Sequence, residues 1–429
     1  MTWLTNLVQE HSELESPIDF WYWGGLTAIS AVVKDNVYLN RHIFNLYPNI
    51  YVMLHADSGL KKGPPVAMAA RLVQLVGNTR VIKGRSSIQG ILQDLGTSHT
   101  EKGKAPITDC AAFICSSEMS SSIVSDPVAT TILTDLYDRS YNSGEWKSLL
   151  KMGQFSLKNP TITMFTATNE AHSNDFFARK DIQGGYFART FIVYANAQNR
   201  SNSLLVPLTR VPDYTQYTEY LRQLSELRGP FAPLGNRTPT DDCPHEWFNE
   251  ETNETFYYSR AGVVYEEWYY DFKRSILEQT QKDETGTLNR FGDSVLKVAM
   301  LLSLAREPSL VIEEQDMRQA IDHCEKLIGA VRKTTLGAKG LSSAAGLKSK
   351  VIHELVSRPS HQVSRVMLLN KLMMHVDDTK EFDELMISFE QAGIVQVIQQ
   401  GNTMLYEMPN NVSKEWVNFF DGKMSKGIL

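Results

Sequence analysis

Short apolar runs alternate with helical segments between about residues 48 and 200 of the chain. The runs predict four buried strands, at Ile50–Leu54, Ala111–Cys115, Thr161–Thr166 and Phe191–Tyr194. A glycine-bearing turn at 56–63 follows the first run, and the spacing within Val66–Val76 predicts a helix after it. Buried strands separated by helices are typical of a parallel sheet, so the expected fold class is α/β.

The segments on either side of this pattern are predominantly helical. Residues 1–45 predict an N-terminal helical lid or collar, and residues 46–210 form the predicted α/β core. Residues 211–336 predict an acidic insert followed by a helical lid subdomain, whose helices we expect at Arg290–Arg306 and Met317–Val331. The apolar positions in both helices recur at the spacing of a helix with one buried face.

Residues 337–348 are rich in glycine, serine and alanine, and this composition predicts a linker. The unit after it, 349–410, contains three predicted short helices, at Lys350–Val356, Val366–Met374 and Phe382–Ala392. Two alternating runs then predict a β-hairpin. Three short helices and a hairpin are the elements of a winged-helix domain, which leaves residues 411–429 as a C-terminal tail.

The composition is that of an ordinary globular chain, with 42% hydrophobic residues, 21% charged residues and a net charge of −6. It excludes a mainly disordered, collagen-like or coiled-coil chain. Four cysteines are too few for a disulfide scaffold, and no CxxC pair indicates a zinc site. Because the chain has neither an apolar stretch of about 20 residues nor a signal-peptide pattern, we expect a cytoplasmic protein without a membrane partner.

Residues 56–63 have the features of a phosphate-binding loop, because they follow a buried strand and open a helix. Such a loop turns backbone N–H groups and a helix N-terminus toward an anion, and a lysine reaches the terminal phosphates. The candidate nucleotide-binding residues are Asp57, Ser58, Gly59, Leu60, Lys61, Lys62 and Gly63. Gly63 stands where a Mg²⁺-holding Ser or Thr is expected, and a surface turn is the alternative interpretation.

Polar residues at later strand ends and helix starts extend this candidate site. Ser117 and Glu118 follow the second strand, where a pair of carboxylates would hold Mg²⁺ and polarise the attacking water. Asn169 follows the third strand, where an amide can hold the terminal phosphate and the lytic water. Arg189 precedes the fourth strand and Arg290 opens the helical subdomain, and each can stabilise phosphate charge. For each residue taken alone, an ordinary surface or ion-paired role is the alternative.

The order of these motifs resembles that of AAA+ ATPases of the minichromosome-maintenance-like branch. The likeness is greater to replicative helicase ATPases of bacteriophages and mobile elements. It is carried by three stretches: Tyr47–Tyr51 leading to Lys62, Ala167–Asn169 and Gly185–Arg189. The resemblance covers about residues 20–408. It implies an AAA+ P-loop core, in which a parallel sheet lies between helices, together with the helical lid subdomain and the C-terminal winged helix.

The resemblance also implies a role for each candidate residue. Lys62 corresponds to the P-loop lysine, Glu118 to the catalytic glutamate and Asn169 to the sensor. Arg189 corresponds to the arginine finger of a neighbouring subunit, and Arg290 to a second sensor. ATP and Mg²⁺ are the implied cofactors. The metal ligands remain unknown at this point, because Ser117 and Gly63 replace the usual Mg²⁺-holding groups.

The implied function is that of an ATP-dependent, ring-forming DNA translocase or helicase in phage or mobile-element replication, in the cytoplasm of a bacterial host. The implied partners are single-stranded or forked DNA, further copies of the chain in a hexameric ring, and a primase, initiator or loader protein. Three alternatives stay open. They are a hydrolysis-impaired nucleotide-binding DNA-binding ring or scaffold, a helicase loader or initiator, and a transcription regulator that uses the winged helix.

Charge is distributed unevenly along the chain. Residues 60–104 carry eight Lys or Arg against two Asp or Glu, whereas residues 211–290 carry eight against 15. A hairpin predicted between 146 and 158 carries the candidate DNA-backbone contacts Lys147, Lys151 and Lys158. The third helix of the predicted winged helix has a net charge of −3. We therefore expect a protein contact or a packing role within the ring, or DNA contact through the wing at Gln399–Thr403. An acidic outside and a basic lining suit a ring that threads DNA.

Overall fold

The computed structural model places the chain in two compact units, residues 1–330 and residues 331–429. The residues that the structure describes are 2–84, 86–97, 107–118, 127–138, 144–150, 153–168, 185–201, 212–249, 252–277, 286–331, 351–372 without 353, 357 and 359, 379–400, 403–409 and 412. Each unit has its own hydrophobic core.

The first unit contains a central sheet, and its helices precede, alternate with and follow the strands along the chain. Its helices are α1 (Trp3–Glu10), α2 (Ile18–Val33), α3 (Gly63–Val76), α4 (Ile88–Leu95), α5 (Pro127–Tyr137), α6 (Tyr214–Glu226), α7 (Arg260–Leu277), α8 (Thr287–Arg306) and α9 (Glu314–Val331), the last of which ends at the start of the second unit. Its strands are β1 (Val37–Asn40), β2 (Asn45–Leu46), β3 (Tyr51–Ala56), β4 (Arg80–Lys83), β5 (Ala111–Ser116), β6 (Glu145–Leu150), β7 (Gly153–Lys158), β8 (Thr161–Thr168), β9 (Thr190–Ala195), β10 (Gly229–Pro230), β11 (Gly235–Asn236), β12 (His245–Asn249) and β13 (Glu254–Tyr258).

Five parallel strands form the central sheet, in the order β4-β5-β8-β3-β9. The strand that precedes the candidate phosphate loop, β3, is buried along its whole length between β8 and β9. Helices flank the sheet, as an α/β fold with a parallel sheet requires, so the expected fold class is confirmed at this level. The order is compatible with a P-loop-like core.

The helix α2 covers one face of the sheet at close range. A Cβ atom at Gly24 would lie 3.2 Å from the side chains of both Met68 and Phe165, so a larger residue there would force these side chains to shift. Ser30 and Thr163 share a buried hydrogen bond of 2.7 Å between the same helix and β8. The segment predicted as an N-terminal lid or collar therefore packs into the core of the first unit, and it also contains the short strands β1 and β2.

The four strands expected from apolar runs are present, and the structure adds the edge strand β4. The apolar pattern did not predict this strand, because it begins with a charged residue, Arg80. In the structure Arg80 is only 1% exposed. The Arg80 guanidinium donates to the carbonyls of Thr97, Ile107 and Asp109, with 3.2 Å to Ile107. Its charge, which contributes to the basic stretch 60–104, is thus turned inward and withdrawn from any ligand outside.

In the second unit, the elements expected from the sequence pattern are observed and one strand is added. Residues 351, 352 and 354–356 are helical. The labelled elements are β14 (Gln362–Ser364), α10 (Arg365–Leu372), α11 (Thr379–Gln391), β15 (Gln396–Gln400) and β16 (Thr403–Glu407). The strands form an antiparallel sheet in the order β14-β16-β15, and Phe382 and Tyr406 pack in the core. Asp383, one of the four acids of the third helix, pairs with Arg365 at 2.8 Å.

None of the helices among the described residues is both long enough and apolar enough to cross a membrane.

Candidate functional site

The loop after β3 has the backbone conformation of a tight turn at the carboxyl edge of the sheet. Gly59 has φ 97° and Lys61 has φ 48°, so two of its residues lie in the left-handed region, which glycine favours. The Leu60 N–H donates to the Asp57 carbonyl at 3.4 Å and closes the turn. From outside, the Ser16 hydroxyl donates to the Lys61 carbonyl at 2.7 Å and braces the loop.

Lys62 folds back over the end of β3. Its Nζ donates to the carbonyls of Ala56 and Asp57, at 2.7 Å and 2.8 Å. Burial lowers the pKa of Lys62, while the charges of Asp57 and Glu118 oppose that shift. The amine therefore sits at the strand end, within electrostatic range of the predicted catalytic glutamate, and its present partners are neutral carbonyls that an anion can replace.

The two positions expected to hold Mg²⁺ meet at this edge. A Cβ atom at Gly63 would lie 3.9 Å from the Cβ of Ser117, and no other heavy atom lies within 4 Å of it. The site brings together one residue without a side chain and one neutral hydroxyl, whereas Mg²⁺ prefers carboxylate and hydroxyl oxygens. These residues do not fit a tightly held Mg²⁺. In the part of the chain that is described, no group of three or more His, Cys, Asp or Glu residues can hold a metal.

The start of α3 fits a phosphate in part. The helix begins at Gly63 with prolines in its first turn, Pro64 and Pro65, and Lys62 provides no side-chain cap. A helix normally offers four free N–H groups at this end, and each proline removes one. The N–H groups left for an anion are those of the loop and of Gly63, next to the Lys62 amine.

The remaining carboxyl-edge residues lie on neighbouring strands. Glu118 is exposed just beyond β5. The last residue of β8, Thr168, is level with His55 of β3, so β8 ends beside the loop. Asn169, the predicted sensor, lies outside the described residues. His55 is buried against Tyr194, and burial together with the charge of Lys62 lowers the pKa of His55 to about 4.

Arg189 lies at the opposite edge of the sheet. The register pairs Tyr51 with Thr190 and Ala56 with Ala195, so Arg189 precedes β9 beside the amino end of β3. At about 3.3 Å per residue, the length of β3 separates it from the loop by about 17 Å. The predicted residues therefore fall into two groups, and Arg189 does not belong to the group around Lys62 within one copy of the chain.

At this amino edge, Arg189 and Arg290 converge on one carboxylate, Asp138. Arg189 is 8% exposed, its Nε donates to Asp138 Oδ2 at 2.9 Å, and its Nη2 donates to the same oxygen. Its Nη1 donates to the Gly185 carbonyl at 2.9 Å. Arg290, in the first turn of α8, approaches the same Asp138 oxygen at 3.5 Å.

Lys297 lies two turns further along α8 and joins the helix to the sheet. Its Nζ donates to the backbone oxygen and Oδ1 of Asn49, both at 2.9 Å, and lies 3.8 Å from the centre of the Tyr137 ring. Complete burial lowers the pKa of Lys297 to about 7, although Asp138 and Asp293 oppose the shift. A neutral amine has the two hydrogens that these two bonds need.

Sequence reasoning missed Asp138 and Lys297, for different reasons. Asp138 follows α5 without any local motif, and its partners are far along the chain. Lys297 carried a signal, because it is the lone charged residue within the apolar run Val295–Ala305. A lysine in such a run points either to a buried partner or to a break in the helix face.

The predicted basic hairpin is present as β6 and β7, which pair from Glu145–Lys158 to Leu150–Gly153. Lys147 and Lys158 are exposed and lie on the same face, whereas Leu157 on the other face is fully buried. Glu145 shares the exposed face and binds Lys147 at 2.7 Å. Lys151 lies outside the described residues.

A cleft of about 840 Å³ lies elsewhere in the first unit, between the β1–β2 hairpin and the insert around α7. Its lining includes Arg41, Arg237, Phe256, Tyr265 and Glu266, and none of the predicted site residues.

Compared with known proteins, the chain matches no protein-family model and no curated protein.

The buried Lys297 amine makes stability depend on pH. Its pKa is about 7 in the folded chain against an ordinary 10.5, so between these values the unfolded chain binds the additional proton. The unfolding free energy therefore rises with pH in this range, by about 1.4 kcal/mol per pH unit from this group, and the gain is lost as pH falls through 7. In urea unfolding between pH 7 and 9, the unfolding free energy of the wild type should therefore rise relative to that of Lys297→Met by about 1.4 kcal/mol per pH unit.

Lys326→Met serves as the matched control, because Lys326 is an exposed lysine on α9 whose side chain is 66% accessible. Relative to this variant, wild-type stability should change little over the same range. A constant difference between wild type and Lys297→Met from pH 6 to pH 9 would show that the amine titrates normally.

Proposed function

We propose that the chain binds a nucleoside triphosphate at the loop 57–63. The supporting observation is that the loop lies close to the end of β5, where a Cβ atom at Gly63, next to Lys62, would lie 3.9 Å from the Cβ of Ser117. In open parallel sheets, ligands bind outside the carboxyl ends of the strands, which is where these residues lie. Lys62 and the loop N–H groups would hold the phosphates, and Glu118 would orient the water that attacks them. A bound ATP would supply the phosphoanhydride bond whose cleavage drives movement.

We further propose that each site is completed by a second copy of the chain. Arg189 lies about 17 Å from the loop within one copy, across the length of β3, so it serves a nucleotide only when copies stack amino edge to carboxyl edge. Such a head-to-tail contact closes into a ring when the rotation between copies allows it. This arrangement supports the AAA+ ring, of hexameric size, that the motif order suggests.

The proposed activity is ATP-dependent translocation along DNA during replication of a phage or mobile element. The exposed face of the β6–β7 hairpin, with Lys147 and Lys158, would contact the backbone of single-stranded or forked DNA. The second unit would be a winged-helix domain, with the acidic α11 directed to protein partners such as a primase, initiator or loader. Arg290 would act as a second phosphate sensor.

Lys62→Ala should abolish ATP binding, because it removes the only side-chain cation among the described loop residues that reaches the end of β3. The measurement is titration with a fluorescent ATP analogue. Lys83→Ala is the control, since Lys83 is exposed on the edge strand β4 at the same edge and binds only Gln74 at 2.8 Å among its described contacts. Equal affinity of the two variants would contradict the loop assignment.

The same Lys62→Ala protein tests whether sites are shared between copies. Arg189→Lys should bind ATP but not turn it over. An equimolar mixture of the two variants should recover turnover that neither has alone, because some sites then combine an intact loop with an intact Arg189. A mixture as inactive as its components would exclude a site made by two copies.

Lys147→Gln combined with Lys158→Gln should weaken binding of single-stranded DNA. If both lysines contact phosphates, the slope of log affinity against log salt should fall by about 1.4. The measurement is fluorescence anisotropy of a labelled oligonucleotide over a salt series. Arg318→Gln combined with Lys326→Gln is the control, because both residues are exposed on α9. An unchanged slope would remove the hairpin from the proposed DNA path.

A second candidate function is that of a ring that binds nucleotide and DNA with little or no hydrolysis. The observation in its favour is the pair Gly63 and Ser117, which offers no carboxylate and one hydroxyl where metal-holding groups are expected. Loss of metal-held charge compensation lowers the rate of phosphoryl transfer, whereas the Lys62 amine and the loop N–H groups still favour binding. The two candidates therefore differ in turnover and agree in nucleotide binding.

Gly63→Ser combined with Ser117→Asp should restore a metal-holding pair and raise Mg²⁺-dependent ATP turnover at least about tenfold. The added Cβ at residue 63 has room, since its nearest neighbour is 3.9 Å away. The control is Gly63→Ala with Ser117→Asn, which has similar size without the new charge. An equal rate in wild type and restored variant, with rapid turnover in both, would reject the hydrolysis-impaired candidate.

A further inference from the structure

The Arg189–Asp138–Arg290 group joins three elements that are distant in sequence. Asp138 follows the last residue of α5, Arg189 precedes β9, and Arg290 is in the first turn of α8. Both arginines approach the same oxygen, Asp138 Oδ2. One carboxylate therefore lies between two guanidinium groups.

The position of Asp138 is electrostatically unfavourable apart from these arginines. A negative charge at the C-terminal end of a helix opposes the helix dipole, and Asp138 stands at that end of α5. Two guanidinium groups approach this one carboxylate, while Asp135 and Asp293 lie within electrostatic range of the group. Removing the carboxylate would leave Arg189 buried without its charged partner.

The group is accessible from one side. Arg189 is 8% exposed, but the Asp138 side chain is 19% exposed and the Arg290 side chain is 47% exposed. An anion can therefore approach along Arg290 and reach Asp138 before it reaches Arg189. Arginine pairs bind carboxylate and phosphate with the same forked geometry, and phosphate offers more charge and more oxygens.

We propose that Arg189 and Arg290 form a phosphate-binding site that Asp138 occupies in the separate copy of the chain, and that the terminal phosphate of a nucleotide bound to a second copy displaces this carboxylate. The source of the phosphate rests on the proposed function. The exchange of carboxylate for phosphate concerns these three residues alone. The contact keeps Arg189 turned inward until a loaded neighbour is present.

The backbone of Gly185 also holds the Arg189 guanidinium in place. Its carbonyl accepts the third Arg189 bond, and a Cβ atom there would lie 3.2 Å from the Thr134 side chain and 3.6 Å from Arg189 Nη1. The tight contact is the one with Thr134, whereas 3.6 Å to Arg189 Nη1 is an ordinary van der Waals distance. All three guanidinium nitrogens of Arg189 are thereby held in one plane toward Asp138 and Gly185.

The test uses inorganic tripolyphosphate and the full chain carrying Lys62→Ala, so that the loop contributes nothing. Adding Asp138→Asn should tighten tripolyphosphate binding at least about tenfold in calorimetric titration, because the competing carboxylate is gone. Adding Arg290→Gln as well should cancel the gain. Tripolyphosphate should also raise the thermal midpoint of Asp138→Asn more than that of its parent, which a purely structural aspartate would not produce.

Asp322→Asn in the same background is the control, because Asp322 forms an exposed pair with Lys326. It should leave binding unchanged. Unchanged binding in a folded Asp138→Asn protein would overturn the proposal. If that variant does not fold, Arg290→Gln alone decides, since it keeps the buried Arg189–Asp138 pair. Loss of the residual tripolyphosphate binding supports the site, and its retention overturns it.

Titration of ATP into wild type and Lys62→Ala separates this proposal from the proposed function. Loss of ATP binding in Lys62→Ala with no effect of Asp138→Asn would keep the loop assignment and reject the phosphate exchange. Unchanged ATP binding in Lys62→Ala with a tighter Asp138→Asn would do the reverse.

Discussion

All five strands of the central sheet run in one direction, and this determines which polar residues can meet. Residues that follow strands gather at the carboxyl edge, as Lys62, Ser117 and Glu118 do. Residues that precede strands gather at the amino edge, as Asn49 and Arg189 do. Because β3, a strand of six residues, separates the two ends of the sheet, the two groups do not meet within one copy of the chain.

The amino edge is held together by the buried Arg189 and Lys297 and by the partly exposed Arg290. Arg189 and Arg290 share Asp138, and Lys297 binds Asn49 two helical turns beyond Arg290. These contacts link α8 to Asp138 and to Asn49, the latter in the segment that leads into β3. A substitution in either contact should therefore affect the position of α8. Ion pairs of this kind are costly to break once buried, because one charge would remain uncompensated.

At the carboxyl edge, the backbone of the loop has a shape that can surround a phosphate. The side chains beside it are a poor set of ligands for a metal ion. Gly59 and Lys61 supply the turn, and the Lys62 amine stands at the strand end. Gly63 and Ser117 lie close together, and neither has a charged oxygen. In the proposed site, nucleotide binding and hydrolysis would therefore depend on different residues, and the chain could keep one while the other is reduced.

The positions of the apolar strands, the glycine-bearing turn and the helical spacing were readable from the sequence, because apolar periodicity and glycine placement are local properties. The four buried strands and the helices of the second unit are examples. The edge strand β4 was not predicted, because the charged Arg80 interrupts its apolar pattern. The Arg80 guanidinium binds carbonyls from later in the chain, which the local sequence does not reveal. The shared Asp138, the buried Lys297 and the separation of Arg189 from the loop came only with tertiary structure. Each depends on register and packing between segments that are distant in sequence, and no local pattern encodes those.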